Sequence, residues 1–359
     1  MKGKMKAWNF IKPLEMYFEE RDIPQIADDE VLVKVKAVGI CGSDVSYYYG
    51  HSPLDTANGL GPLVLGHEAS GVVAEIGAIP AAKGLFKEGD RVALNPVMQC
   101  NACPACMRGE FNECSNCEVL GVSVDGCFAE YVKVKYTHVY HISDEISFEE
   151  GALAEPLACA TYGVKRLDIK MGQTVVIFGT GTIGLMQVQL AKAAGAGKII
   201  AIGIEDFGLK KAIEVGANYS INSLVKDSPY YAEDIVEKVK ELNDGNLAPR
   251  CIVPTSAMPA LQQALTVTGA HSTIVYFGLP GDKDMLQVPV LDAIQSDRTL
   301  KFSWLAPLVW DNVFNLVAAK KVDLAALTTH KFPLDKVEEG IKFMKESKED
   351  KIKGEIIID

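Results

Sequence analysis

Residues 175–184 read V-V-I-F-G-T-G-T-I-G, and the helix-forming run L-M-Q-V-Q-L-A-K-A-A follows at 185–194. Apolar residues leading into G-x-G-x-x-G predict a buried strand, a tight turn and a helix. Each glycine has its own duty in such a turn: Gly179 permits the reversal, Gly181 lets backbone approach a pyrophosphate, and Gly184 lets helix pack close on strand. The helix N-terminus, at Thr182 and Ile183, then faces the anion. A glycine-rich turn alone is equally compatible with tight packing. The strand K-I-I-A-I at 198–202 arrives at the spacing of a βαβ unit, and that context points to a dinucleotide.

The second strand of such a unit ordinarily ends, roughly 20 residues on, at an Asp or Glu that takes the adenosine ribose hydroxyls. Gly203 stands there instead, followed by I-E-D-F. A glycine makes room for a 2′-phosphate, but a phosphate also calls for Arg or Lys, whereas Glu205 and Asp206 would repel a dianion. The residues favour NAD, with NADP as the second reading and with Glu205 or Asp206 substituting for the missing acid.

Outward from this turn, helix and strand alternate through E-D-I-V-E-K-V-K-E-L, C-I-V-P, A-L-Q-Q-A-L and T-I-V-Y-F, which is how a parallel sheet wrapped by helices reads. The first 150 residues instead carry short runs of alternating polarity, such as E-V-L-V-K-V-K-A-V (30–38), G-V-V-A-E-I (71–76) and F-A-E-Y-V-K-V (128–134). These predict half-buried strands. After about residue 298 a helical stretch, W-D-N-V-F-N-L-V-A-A-K-K, precedes a final strand, E-I-I-I. A length of 359 residues favours two domains over one core.

Apolar residues at 48% and charged residues at 23% match a globular chain. A formal charge of −11 argues against a nucleic-acid surface, which needs clustered Lys and Arg. No apolar run approaches the roughly 18 residues of a membrane span, and the basic start M-K-G-K-M-K lacks a signal peptide's apolar core. A cytoplasmic enzyme acting on a small molecule is the expectation. Nine cysteines without a secretory signal then favour metal or thiolate chemistry over disulfides.

Cys100, Cys103, Cys106 and Cys114 form C-x2-C-x2-C-x7-C, which suits a closed tetrahedral zinc that ties down a loop. An iron–sulfur cluster or free thiols are the rival readings. A catalytic zinc needs three protein ligands and one open place, gathered from distant segments. Cys41 in V-G-I-C-G-S-D-V and His67 in L-G-H-E are candidates for two of them. Glu155, in L-A-E-P-L at the domain junction, is a third, and Glu68 a fourth, as direct ligand or as partner to one. Taken singly, Cys41 reads as a small buried hydrophobe and either glutamate as a solvated charge. His51, His138, His141, His271 and His330 lie in less suggestive contexts.

Together, G-I-C-G-S-D-V, V-L-G-H-E-A-S-G-V-V, G-D-R-V (89–92), the four-cysteine loop, A-E-P-L-A, F-G-T-G-T-I-G and T-T-H-K-F-P-L-D-K-V-E-E-G resemble the zinc-dependent medium-chain dehydrogenase/reductases, nearest the sorbitol (polyol) dehydrogenase branch. The resemblance implies an α/β fold: a doubly wound Rossmann sheet over 158–297, and a mainly β, GroES-like catalytic domain over 1–157, with its structural zinc loop at about 96–117, to which the chain returns at 298–359. An active site in the cleft between them is implied too. It implies that Cys41, His67 and Glu155 hold a catalytic zinc with Glu68 exchanging or bonding nearby, giving two zincs per chain. It implies dinucleotide contacts from Gly179 to Gly184, at Gly203 and Glu205, and at Gly278 and Leu279. Members are commonly homotetramers or homodimers.

On this resemblance Ser43 receives the alcohol proton, and Tyr47 lines the substrate. Many relatives carry a histidine five residues after the zinc cysteine to end the proton relay; Ser46 stands there, leaving water or His51 as the outlet. A substrate-binding arginine common among polyol dehydrogenases is absent from F-S-W-L-A-P (302–307). The implied chemistry is oxidation of a secondary alcohol, a sugar alcohol first, with butanediol, threonine or a phosphorylated polyol as alternatives. A catalytically silent zinc- and dinucleotide-binding sensor or scaffold is the reading from another class.

Overall fold

The computed structural model describes residues 1–54, 56 and 61–359. It divides into one unit of Met1–Pro156 with Thr328–Asp359, and a second of Leu157–Leu327.

In the second unit, V-V-I-F lies in the strand Thr174–Phe178, buried throughout. This strand sits inside a six-stranded sheet ordered Tyr219–Asn222, Lys198–Gly203, Thr174–Phe178, Ala248–Val253, Thr268–Tyr276, Thr299–Phe302. All five pairings are parallel. The order grows outward first on one side of Thr174–Phe178 and then on the other, which defines a doubly wound α/β sheet with its switch point at that strand. A doubly wound sheet carries helices on both faces, which is why its central strands Thr174–Phe178 and Lys198–Gly203 are nearly continuously apolar rather than alternating. Val176, Phe178, Ile200, Ile202, Val253 and Ile274 share one buried cluster.

Residues 298–327, expected to belong to the returning segment, lie instead in this second unit. The reason is the strand Thr299–Phe302, which pairs with Thr268–Tyr276 and extends the sheet by one strand. The chain rejoins the first unit at Thr328, where the strand Thr328–Pro333 begins.

The first unit is mainly β. Its seven-stranded sheet centres on Glu30–Gly39, which pairs antiparallel with Glu68–Ile76, Tyr131–Lys135 and Lys353–Ile357. The last strand of the chain is thereby laid against Gly39, two residues before Cys41. Among the described residues no helix is long and apolar enough to cross a membrane.

His138 is 1% exposed, with Nε2 at 2.8 Å from Gln99 Oε1 and Nδ1 at 2.9 Å from Thr137 Oγ1. Burial, helped by Lys135, holds its imidazole down to about 4. A folded-state value below the unfolded one near 6.5 means that the unfolded chain binds the proton more readily. His138 therefore supports the fold fully above about pH 6.5 and progressively less as pH falls toward 4, by at most about 3 kcal/mol. Urea unfolding at pH 7 and pH 5 should show that loss in the wild type and a smaller loss in His138→Asn; equal losses would contradict it.

Candidate functional site

The two glycine-led segments of the first unit meet through one buried carboxylate. Cys41 is the N-cap of the helix Gly42–Tyr48, and its backbone N–H donates to Asp44 Oδ2 at 2.9 Å. The other oxygen, Asp44 Oδ1, accepts from the Gly66 backbone N–H at 3.1 Å. Gly66 has φ +87°, a left-handed conformation suited to glycine, and a Cβ there would lie 3.0 Å from the Phe128 ring. His67 follows this turn and Glu68 begins the strand Glu68–Ile76. The Cys41 thiol, His67 imidazole and Glu68 carboxylate each offer a ligand atom within 4.8 Å of the other two.

Burial disfavours charge on His67, but Cys41 and the Asp44 and Glu155 carboxylates outweigh it and hold the imidazole well above its ordinary value. The surrounding acidic groups thus favour positive charge at this point. His67 Nδ1 is buried without a hydrogen-bond partner among the described residues, 3.7 Å from Asp44 Oδ1. A thiol, an imidazole and carboxylates around one buried point form a donor set that zinc accepts. Glu155 is 9% exposed in the first turn of the helix Ala154–Leu167, close enough to act on His67, but it is not one of the three groups that lie within 4.8 Å.

Sequence reasoning missed Asp44 and Lys353. Lys353, on the last strand, ion-pairs with Glu68 Oε2 and donates to the Ile40 carbonyl at 2.9 Å. Both side chains of the pair are buried, at 4% and 2% exposure. Burial pushes the Lys353 ammonium down, but Glu68 and Cys41 more than offset it and raise it above its ordinary value. Gly39 makes this contact possible, since a Cβ there would collide with Glu68 Oε2 and lie 2.9 Å from Lys353 Cε. Glu355, also buried, faces the same ammonium, and burial raises its carboxyl to about 7.

Ser43 is half-buried in the first turn of the helix Gly42–Tyr48, and Tyr47 is 2% exposed. Ser46 Oγ donates back to the Gly42 carbonyl at 2.9 Å. Tyr48 and Tyr49 bond to Glu338 and Glu346 of the helix Val337–Glu346, so these two hydroxyls anchor that helix.

Cys100, Cys103, Cys106 and Cys114 bring four sulfur atoms within 4.8 Å of one another, with Cys103 and Cys114 sulfurs 3.9 Å apart. Thiolates about 2.3 Å from a single tetrahedral ion stand roughly 3.8 Å from one another. A cluster giving each thiolate its own iron would hold them further apart, so the spacing fits one zinc better than iron–sulfur. Backbone N–H groups of Cys106 and Ser115 lower the Cys103 thiol below its ordinary value. The Cys100 and Cys103 N–H groups approach neighbouring sulfurs at 3.3 Å.

In the second unit, Gly179 has φ +105°, and its N–H donates to the Ile202 carbonyl at 2.7 Å. The turn thus lies against the end of Lys198–Gly203. Gly181 caps the helix Thr182–Ala193, and a Cβ on it would meet nothing within 4 Å, which leaves room for a ligand. A Cβ on Gly184 would strike the Gly179 carbonyl, as close helix–strand packing requires. Gly278 packs against Thr255, whose side chain also lies 3.4 Å from where a Gly179 Cβ would be. Leu279 is 47% exposed beside it. Glu205 is the exposed N-cap of the helix Asp206–Val215.

Comparison with known proteins agrees with both halves. Residues 27–144 match the family described as alcohol dehydrogenase GroES-like domain, and residues 182–319 match zinc-binding dehydrogenase. Sorbitol dehydrogenase of Bacillus subtilis is 33% identical over 339 residues, covering 94% of this chain and 92% of that protein. A zinc-binding dehydrogenase of Sinorhizobium meliloti 1021, solved bound to NADP, superposes with TM-score 0.88 at 28% identity over 99% of both chains. The 2R,3R-butanediol dehydrogenase of Bacillus subtilis does so with TM-score 0.87 at 29% identity, over 99% of this chain and 100% of its own. The chain belongs to the zinc-dependent medium-chain dehydrogenase/reductases, in the branch that resembles sorbitol dehydrogenase.

Proposed function

We propose that this protein oxidises a secondary alcohol of a polyol to the ketone, with NAD as hydride acceptor. The observation that carries the reading is the buried convergence of Cys41, His67 and Glu68, with Glu155 acting on the same imidazole, in a chain that also holds an open Gly181 turn. Cys41, His67 and Glu155 are the proposed ligands of a catalytic zinc, and Cys100, Cys103, Cys106 and Cys114 those of a structural one. When bound, zinc supplies Lewis acidity toward an alcohol, and the nicotinamide supplies the hydride acceptor.

The chain's own residues do the rest. Asp44 keeps Cys41 and His67 in register through two backbone N–H groups. Lys353 ion-pairs with the Glu68 carboxylate, so Glu68 is proposed to stand beside the ligands, exchanging with one of them only when it leaves that pair. Ser43 is the proposed first acceptor of the hydroxyl proton. Ser46 has its hydroxyl turned to Gly42, which leaves solvent or His51 as the further outlet. Tyr47 is proposed to line the substrate. The resemblance extends the reading to a cytoplasmic homodimer or homotetramer.

Similarity to sorbitol dehydrogenase favours a sugar alcohol, and similarity to a butanediol dehydrogenase supports a vicinal diol as the second reading. The zinc-loaded protein should be assayed with sorbitol, xylitol, 2,3-butanediol, threonine and a phosphorylated polyol, each with NAD. A sugar alcohol should give the highest kcat/KM, with a ketone product. Highest kcat/KM on butanediol would favour the second reading, and turnover of none would overturn both.

A further inference from the structure

We infer that Glu205, rather than Asp206 or a residue at the strand end, is the carboxylate that receives the adenosine ribose, and that it makes this chain select NAD over NADP. The inference rests on the dinucleotide reading of the second unit and deepens it. The usual place for that acid is the end of the second strand, where this chain has Gly203. The structure shows why nothing larger stands there. Thr180, inside the phosphate-binding turn and 8% exposed, turns its side chain into that space. A Cβ on Gly203 would lie 2.8 Å from Thr180 Oγ1, and one on Gly208 would lie 2.5 Å from the same oxygen. The β-branched Thr180 side chain thus fills the space beside both glycines, and a larger residue at 203 would have to push it aside.

Two carboxylates follow, and their situations differ. Asp206 Oδ1 accepts from Asn222 Nδ2 at 2.9 Å and from Ser228 Oγ at 2.5 Å. Asn222, fully buried, also donates to the Ile204 carbonyl at 3.2 Å, and the Ser223 N–H donates to the Gly203 carbonyl at 3.0 Å. Asp206 is thus consumed in fixing the loop that leaves the strand. Glu205, one residue earlier, is exposed, makes no side-chain cap bond to its helix, and is two residues beyond the strand end. The loop bonds that engage Asp206 hold the backbone of Glu205 in place. A carboxylate so placed accepts hydrogen bonds from ribose hydroxyls and repels a 2′-phosphate.

The test is binding, read by fluorescence titration of the zinc-loaded protein with NADH and with NADPH and no alcohol present. The wild type should bind NADH at least about tenfold more tightly. Glu205→Gln should weaken NADH by about tenfold and leave NADPH unchanged or tighter, whereas Asp206→Asn, which keeps both acceptor contacts, should leave the ratio within about twofold. Equal affinities in the wild type, a ratio unmoved by Glu205→Gln, or a ratio moved as much by Asp206→Asn would overturn the inference while leaving the dinucleotide reading intact. Failure of both dinucleotides to bind would overturn the inference and the dinucleotide reading together.

Discussion

Cys41→Ala or His67→Ala is expected to lower kcat by at least about a thousandfold, since Lewis-acid stabilisation is worth several kcal/mol of barrier. NADH affinity should change by less than about twofold, because the glycine turn and Glu205 belong to the other unit. Folding should survive as well: the Asp44 hydrogen bonds that join the two segments run to the backbone N–H groups of residues 41 and 66, which the substitutions leave in place. Steady-state kinetics with a polyol and fluorescence titration with NADH separate the two effects. A variant that kept a tenth of the wild-type kcat, or lost NADH binding in parallel, would contradict the assignment.

Lys353→Met should cost the metal-free protein about 3–5 kcal/mol of stability, because it leaves a buried carboxylate without its cation. The lost partner is Glu68, and Glu355 faces the same ammonium, so two buried acids are exposed to the change. Zinc loading should shrink the loss, since a divalent ion beside Glu68 offsets some of the missing charge. Lys353→Met combined with Glu68→Gln should recover part of it, and urea unfolding with and without zinc measures all three quantities. A loss below about 1 kcal/mol, or simple additivity in the double variant, would show that the pair is not the buried coupling described.

The dinucleotide unit was legible because its signals are local: an apolar strand, three glycines at fixed offsets and a second strand at the right distance. Its far edge was not, because Thr299–Phe302 carries no strand alternation that a reader would trust, and its Phe302 is 66% exposed. Only pairing with Thr268–Tyr276 identifies it as sheet. Cys41 and His67 stood out through their glycine neighbours. Asp44 did not, because an Asp in a first helical turn is ordinary until Gly66 is brought to its second oxygen. Lys353 sits in E-D-K-I-K-G-E, which reads as a solvated charge run, and becomes a site residue only when the last strand pairs beside Gly39. Thr180 was visible within the turn, yet its effect on Gly203 depends on a contact across two strand ends.

The central claim is that Cys41 and His67, far apart in the chain, hold a metal ion separate from the one in the four-cysteine loop. Zinc content per chain, measured by elemental analysis on the wild type and on His67→Ala after exhaustive dialysis, tests it most directly. Two zinc ions in the wild type and one in the variant are predicted; two in both, or one in both, would contradict the account.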